Sequence, residues 1–287
     1  MDRPLTDGDA KSGVSTEDIR RHYDVLSSFY YLLWGPHIHH GYWERNPGSD
    51  GETPARAQVR LIERLAGRLE IASDHHVLDI GCGLGGSSCW LAKTFGCSVL
   101  GLTLSPVQAQ AAGKIAGEQN VADRAAFRVH DANTLDLPPQ TFDRIWIIEC
   151  SEHIRDKQTF FRRCARLLRP GGRLGLCVWL KGDTDTPEHW RLVREICAAM
   201  LCPSLLTMSE QVSMLEAAGF HEPRAEDITA NVLPTWPYCR KLMSHPLIQL
   251  VLHTRSGKLR RYVDSFELME RGYREGALAY GMITAGL

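Results

Sequence analysis

The run Val77-Leu78-Asp79-Ile80-Gly81-Cys82-Gly83-Leu84-Gly85-Gly86 constrains the chain more than any other segment. It reads as a buried strand entering a glycine turn that opens a helix. Glycine permits positive φ there and lets a ligand approach the backbone. The helix N-terminus then presents unpaired amides to an anionic group. Downstream, short apolar segments at 77–80, 98–102, 125–129, 144–148 and 173–180 alternate with helix-patterned segments at 86–95, 106–119 and 157–168. Such alternation predicts βαβ units, and so an α/β fold with a doubly wound, mostly parallel sheet covered on both faces. Further helices are expected at 188–200 and 209–218, the latter closed by Gly219. Strands near 222–229 and 277–285 complete a seven-stranded sheet. The segment between them is far too long for a hairpin and reads as a helical insertion.

Upstream, Ser15 and Asp18 have the spacing of a capping box, followed by Ile19, Tyr23, Leu26, Tyr30 and Leu33 at helical spacing. That helix should end near Gly35-Pro36. A second helix over 54–70 carries Val59, Ile62, Leu65 and Leu69 on one face. The expected organisation is a tail at 1–14, a helical cover at 15–70, an α/β core at 71–229, a lid insertion at 230–276 and a last strand at 277–287. Hydrophobic residues make up 44% and charged residues 23%, which excludes a disordered chain. Thirty-three basic against 34 acidic residues leave no basic excess for nucleic acid. Nine cysteines without a disulfide-like spacing point to a reducing cytoplasm. No apolar run reaches the roughly 18 residues that span a bilayer, and residues 1–15 lack the apolar stretch of a signal peptide. Oligomeric state is left open, homo-oligomers included.

Gly81, Gly83 and Gly86 satisfy the G-x-G-x-x-G pattern, which alone does not separate one nucleotide from another. The neighbours do. A nicotinamide fold wants an acid after the second strand for the ribose, whereas this chain has Thr103 and Leu104 there. Acids stand instead at Asp79, inside the first strand, and at Asp131, after the third. The combination fits S-adenosylmethionine better than NAD, and an NAD-dependent oxidoreductase is the rival class.

Asp79-Ile80-Gly81-Cys82-Gly83-Leu84-Gly85 resembles motif I of the class I S-adenosylmethionine-dependent methyltransferases. The segment from Gly101 to Gln108 is similar to a narrower branch, the γ-tocopherol C-methyltransferases and their relatives. That branch includes cyclopropane synthases, plant indole-alkaloid N-methyltransferases and some bacterial prenyl-diphosphate C-methyltransferases. The stretches Trp34 to Trp43, Glu149 to His153, Pro234 to Pro237 and Arg271 to Gly276 carry the same likeness, which extends over roughly residues 20–287. The resemblance implies that Gly81 and Gly83 approach the methionine moiety, with Asp79 beside its amino group. It places Thr103, Leu104 and Gln108 at the ribose, Asp131 and Ala132 at the adenine, and Tyr23 over the amino-acid end. S-adenosylhomocysteine is then the product. The competing readings are that Tyr23 is core and Gln108 a solvated helix residue.

Acid–base candidates come from the end of the fourth strand, where such sheets bind ligands. They are Glu149, Glu152 and His153. Glu149 follows three apolar residues, so burial should raise its pKa and make it a general base. Its rival role is structural, and Glu152 could instead begin the next helix. His37, His39 and His40 lack a neighbouring carboxylate or cysteine, so no metal site is assigned. His40 and Tyr42 are placed near substrate, under an apolar lid of Trp236, Tyr238, Met243 and Phe266. The expected activity is methyl transfer to a small hydrophobic acceptor, foremost the carbon of a phenolic or prenylated compound. N- or O-methylation of a natural product is the alternative. A prenyl diphosphate acceptor would need Mg²⁺ and basic groups, for which Arg240, Lys241, Arg255, Lys258, Arg260 and Arg261 are the candidates.

Overall fold

The strand signals resolve into one sheet of seven strands in the order β3-β2-β1-β4-β5-β7-β6. They are β1 His76–Ile80, β2 Ser98–Thr103, β3 Ala125–Val129, β4 Phe142–Ile148, β5 Leu168–Lys181, β6 His221–Asp227 and β7 Leu278–Gly286. The computed structural model describes residues 14–45, 47, 49, 51–246, 248 and 257–287. Apart from Val14, the expected tail lies outside them. So do the side chains of Leu26, Tyr30 and Leu33 from the first helical stripe. Strands β1 to β5 pair in parallel, while β7 runs antiparallel to both β5 and β6. β5 begins earlier than its apolar run, because Phe142 already pairs with Leu168 before the register shifts to Arg144 and Arg173.

The helices are α1 Thr16–Trp34, α2 Pro54–Leu69, α3 Gly86–Phe95, α4 Pro106–Glu118, α5 Lys157–Leu167, α6 Pro187–Ala199, α7 Met208–Ala217, α8 Thr229–Val232, α9 Thr235–Met243 and α10 Gly257–Arg274. A reciprocal capping box between Ser15 and Asp18 starts α1, as its spacing predicts. The buried stripe of α2 is Ala57, Leu61, Ile62, Leu65, Ala66 and Leu69, with Val59 only half-buried at its margin. Alternate strand residues enter opposite sides of the sheet. Val77, Val99 and Trp146 join one apolar cluster with α2, whereas Leu78, Leu100 and Ile145 join the other with α5.

The strand order reverses between β1 and β4, so the crevice for a ligand opens at their carboxyl ends. α1 is fastened beside it. Ser105, the N-cap of α4, donates its hydroxyl to Asp24 of α1 at 2.5 Å. The helices α8, α9 and α10 come between β6 and β7 in the chain, and α9 and α10 supply further buried aromatic side chains.

Candidate functional site

The glycine turn adopts the geometry its composition allows. Gly81 has φ 82° and Gly83 φ 53°. The Gly81 amide donates to the Leu102 carbonyl at 2.9 Å, which pulls the turn against β2. A Cβ on Gly81 would stand 2.4 Å from the Cβ of Cys150, so no side chain fits there. Above the turn lies a cavity lined by Gly81, Gly83, Thr103, Leu104, Gln108, Asp131 and Ala132, and covered by Tyr23 and Ile19 from α1. The Thr103 hydroxyl donates to Gln108 Oε1 at 2.7 Å and accepts from the Ser105 amide, so Gln108 is buried against Thr103, not solvated. Asp131 Oδ1 accepts from both the amide and the side-chain nitrogen of Asn133 at 2.8 Å. Ile38, His130, Asn133 and Cys150 also line the cavity, and none of them is singled out by the sequence reading. A glycine floor, a hydroxyl–amide pair and a carboxylate beyond it suit a nucleoside with an amino-acid tail, which is the shape of S-adenosylmethionine.

Asp79 does not line this cavity. It is buried behind the turn, where it accepts the Ser88 hydroxyl at 2.6 Å, and burial pushes its pKa up to about 7. Glu152 lies in a short 3₁₀ turn, Ser151–His153, and does not start a helix. Burial, reinforced by the charge of Glu149, raises its pKa to about 8, although the Trp179 amide donates to its Oε1 at 2.6 Å. Both acids therefore favour their neutral form in the folded chain. Their stabilising contribution is complete below the ordinary values of 3.8 and 4.5, and is lost as pH rises through about 7 and about 8. The melting midpoint of the ligand-free protein should fall across that window, and fall less steeply in Asp79→Asn. An identical slope in the variant would remove Asp79 from this account.

A second cavity adjoins the first. It is walled by Trp34, Trp179, Trp236, Met200 and Cys239, with His39, His40 and Glu152 among its polar lining. Tyr23, Ile38, Glu149 and His153 line both cavities and so form the partition between them. Two expected substrate contacts fall elsewhere. Tyr42 lines neither cavity, because its ring lies under the Arg64 guanidinium at 4.2 Å. Tyr238 lines neither as well, its ring being turned toward Trp43. Of the expected lid, Trp236 reaches the cavity, while Phe266 packs behind it at 5.3 Å between ring centres and Met243 is buried in the same apolar cluster.

The partition is organised by hydrogen bonds. His153 Nδ1 lies 3.0 Å from the Leu201 carbonyl, which can only accept, so that nitrogen carries the proton. Nε2 is then an acceptor, and the Tyr23 hydroxyl donates to it at 3.1 Å. Removing that hydroxyl in Tyr23→Phe forfeits about 0.5–1.5 kcal/mol. S-adenosylhomocysteine should then bind about 2- to 10-fold more weakly by calorimetry; an unchanged affinity would show that α1 closes without this bond.

Glu149 corrects an expectation. Burial does push its pKa up, but the His40 ring, the His40 amide and His39 outweigh burial and lower it to about 2. Its Oε1 accepts from the His40 amide at 2.8 Å, His40 Nδ1 at 2.9 Å and the Tyr280 hydroxyl at 2.7 Å. A carboxylate held this way stays charged and is a poor general base. Its backbone has φ 50°, a left-handed conformation that non-glycine residues seldom adopt outside constrained sites. Tyr280, Trp179 and Tyr273, which complete the surroundings of His40, gave no local sequence signal.

Arg240 pairs with Glu270 on α10, and Lys241 is exposed. Arg255 and the side chains of Lys258, Arg260 and Arg261 lie outside the described residues. Among the described residues no group of three or more His, Cys, Asp or Glu is placed to hold a metal, and no helix is long and apolar enough to cross a membrane.

Comparison with known proteins identifies the family. The family model for mycolic acid cyclopropane synthetase matches residues 10–269. The chain is 33% identical over 282 residues to a probable chloroplastic tocopherol O-methyltransferase of Oryza sativa subsp. japonica, covering 93% of this chain and 77% of that protein. It is 30% identical to the 27-O-demethylrifamycin SV methyltransferase of Amycolatopsis mediterranei (strain S699), covering 93% and 96%. In fold it is similar to the cyclopropane synthase MmaA2 from Mycobacterium tuberculosis, with a TM-score of 0.82, 22% identity and coverage of 94% and 98%. These relationships set aside the nicotinamide reading. The chain belongs to the mycolic acid cyclopropane synthetase family and is an S-adenosylmethionine-dependent methyltransferase.

Proposed function

We propose that this enzyme methylates a small hydroxylated aromatic acceptor held in the ring-lined cavity. The cofactor is assigned to the glycine-floored cavity, where Gly81, Gly83, Thr103, Leu104, Gln108, Asp131 and Ala132 would hold it under Tyr23. When bound, S-adenosylmethionine supplies an activated methyl group, and the chain's own task is to align a nucleophile with it. The observation that carries the reading is the shared partition of Tyr23, Ile38, Glu149 and His153. It lets two ligands meet across these shared side chains while each keeps its own walls.

The character of the second cavity selects the acceptor class. Indole and imidazole rings suit a flat apolar body. Five polar atoms of its lining side chains, His39 Nε2, His40 Nε2, Glu152 Oε2, Trp179 Nε1 and Trp236 Nε1, are buried without a partner. Buried polar atoms are normally satisfied, so an acceptor carrying hydroxyl groups complements them better than a bare hydrocarbon chain. No described lysine or arginine lines either cavity. A diphosphate acceptor with Mg²⁺ thus depends on basic side chains outside the described residues. Of the two curated relatives reported above, one is named a probable tocopherol O-methyltransferase and the other a 27-O-demethylrifamycin SV methyltransferase. A phenolate shares its charge between oxygen and ring carbon, so one pocket serves both outcomes, and the expectation of carbon transfer widens to include oxygen. The nine unpaired cysteines support a reducing, cytoplasmic setting.

The test is a screen with isotopically labelled S-adenosylmethionine against simple phenols, an aliphatic amine, and geranyl diphosphate with and without Mg²⁺. Label should pass to a phenol, and mass spectrometry with NMR of the product then distinguishes O- from C-methylation. Turnover of the diphosphate alone, or of the amine alone, would overturn the phenolic reading.

A further inference from the structure

We infer that His40 is the residue that takes the acceptor's proton, with Glu149 and Tyr280 holding it in position. The inference rests on the hydroxyaromatic reading above and reassigns the base from the strand end to the N-terminal segment.

The hydrogen bonds fix the ring. Glu149 Oε1 already accepts from the His40 amide, so the His40 nitrogen 2.9 Å away, Nδ1, carries the proton. The His40 amide donates to the same oxygen at 2.8 Å, which prevents the ring and its backbone from drifting apart. Tyr280, kept in its phenol form by burial and by the Glu149 charge, supplies the third bond. Nε2 is the nitrogen left without a hydrogen-bond partner. His40 is only 2% exposed, lines the acceptor cavity, and has no partner at Nε2. A carboxylate behind one imidazole nitrogen orients the ring and stabilises the imidazolium formed when the other takes a proton. Trp179, Trp236, Tyr273 and Tyr280 surround the ring at 5.0–5.9 Å between centres.

The rivals are less well served. His153 has both nitrogens engaged, by Leu201 and Tyr23. Glu152 leaves Oε2 unpartnered, but the Glu149 charge that favours an imidazolium opposes a second carboxylate beside it. His39 also has a bare Nε2, yet its Nδ1 faces the neutral carbonyl of His40, and burial disfavours its charged form. In the assigned step the acceptor O–H bond breaks, its proton goes to His40 Nε2, and the electron pair stays on oxygen. That oxygen, or the ring carbon sharing its charge, takes the methyl group as the carbon–sulfur bond breaks with its electrons kept by sulfur. On the carbon route the hydrogen of that ring carbon then moves as a proton to the oxygen, which restores the aromatic phenol. The proton later leaves His40 for solvent.

4-Nitrophenol is a suitable probe, because its absorbance reports its own ionisation without turnover. It would be titrated into protein loaded with S-adenosylhomocysteine, at a pH below the probe's own pKa. Wild-type protein should show the phenolate band, and His40→Gln and Glu149→Gln should bind the probe with the phenol band. His40→Asn provides a second variant should His40→Gln fail to fold, as judged by thermal melting. With any phenol methylated in the screen, His40→Gln should turn over about 10²- to 10⁴-fold more slowly, with S-adenosylhomocysteine affinity within threefold of wild type. A phenol band in wild type overturns the assignment of His40 alone. So does a phenolate band that survives in the His40 variants, and one lost in Glu152→Gln but not His40→Gln transfers the role to Glu152. If no phenol binds while S-adenosylhomocysteine does, the hydroxyaromatic reading fails and this inference with it.

Discussion

Gly81→Ala is expected to weaken binding of S-adenosylhomocysteine by about 30-fold or more while leaving a folded protein. The turn holds φ at 82°, and the new methyl group would arrive 2.4 Å from the Cys150 Cβ. A left-handed backbone costs a residue with a side chain roughly 1–2 kcal/mol. Overpacking adds about 1–3 kcal/mol. The chain can relieve both only by moving the turn, which forms the floor of the cavity proposed to hold the cofactor. At about 1.4 kcal/mol per tenfold, affinity should fall at least 30-fold. The steric part is separable, because Cys150→Gly removes the carbon that is struck. The double variant should recover some affinity, though not the share due to the backbone. Gly83→Ala isolates the backbone share, since nothing lies within 4 Å of a Cβ there. Calorimetry with thermal melting on all four proteins makes the comparison; Gly81→Ala binding within threefold of wild type would sink the account.

Glu149→Ala should be the most damaging single change at the partition. It leaves the His40 amide, the His40 ring and the Tyr280 hydroxyl without their shared acceptor inside a buried site. Losing one side of a buried charged arrangement typically costs about 3–5 kcal/mol. Each kcal/mol moves the melting midpoint of a large domain by roughly 2–4 °C. A drop on the order of 10 °C is therefore expected, together with loss of turnover. Glu149→Gln keeps the shape and one acceptor oxygen, so its midpoint should fall less although its turnover stays low. The sign with pH is opposite to that of Asp79. A carboxyl lowered from 4.5 to about 2 contributes fully above 4.5, and its contribution disappears as pH falls toward 2. Wild type should thus lose its advantage over Glu149→Gln in acid. A constant difference between the two across that range would show that the carboxylate is not stabilised by folding.

Much of the fold is legible because it rests on local and periodic signals. The capping box at Ser15, the strand-to-turn run ending at Gly86 and the alternation of strands and helices each act over a few residues. The segment between β6 and β7 is legible as helical by its length and composition. Within the site, Gly81, Gly83, Thr103 and Asp131 belong to turns at strand ends, and topology places those together. What the sequence does not convey is the environment of a charge. Glu149 follows Trp146-Ile147-Ile148, which speaks for burial and a raised pKa. The groups that reverse this, His40 and His39, come from 109 and 110 positions away. Asp79 lies beside the glycine turn in sequence, yet the strand pleat turns it to Ser88 and away from the cavity. Tyr42 and Tyr238 are aromatic residues in the right segments whose rings are claimed by Arg64 and Trp43. Aromatic composition marks a region, whereas facing direction depends on partners from the rest of the chain.

The three bonds on one oxygen of Glu149 also govern when, in the life of the chain, the site can first exist. His40 comes from before the first strand, and Tyr280 from β7, which must slot between β5 and β6. Contacts of such separation form slowly, because loops must close before they are rewarded. During synthesis β5 can present an open edge until the last strand arrives, with Glu149 still lacking its tyrosine. Chains that have collapsed but not inserted β7 would hold most of their helices and little of the partition. Recovery of the Glu149 network during refolding would therefore report completion of the sheet, whereas helical ellipticity would return earlier.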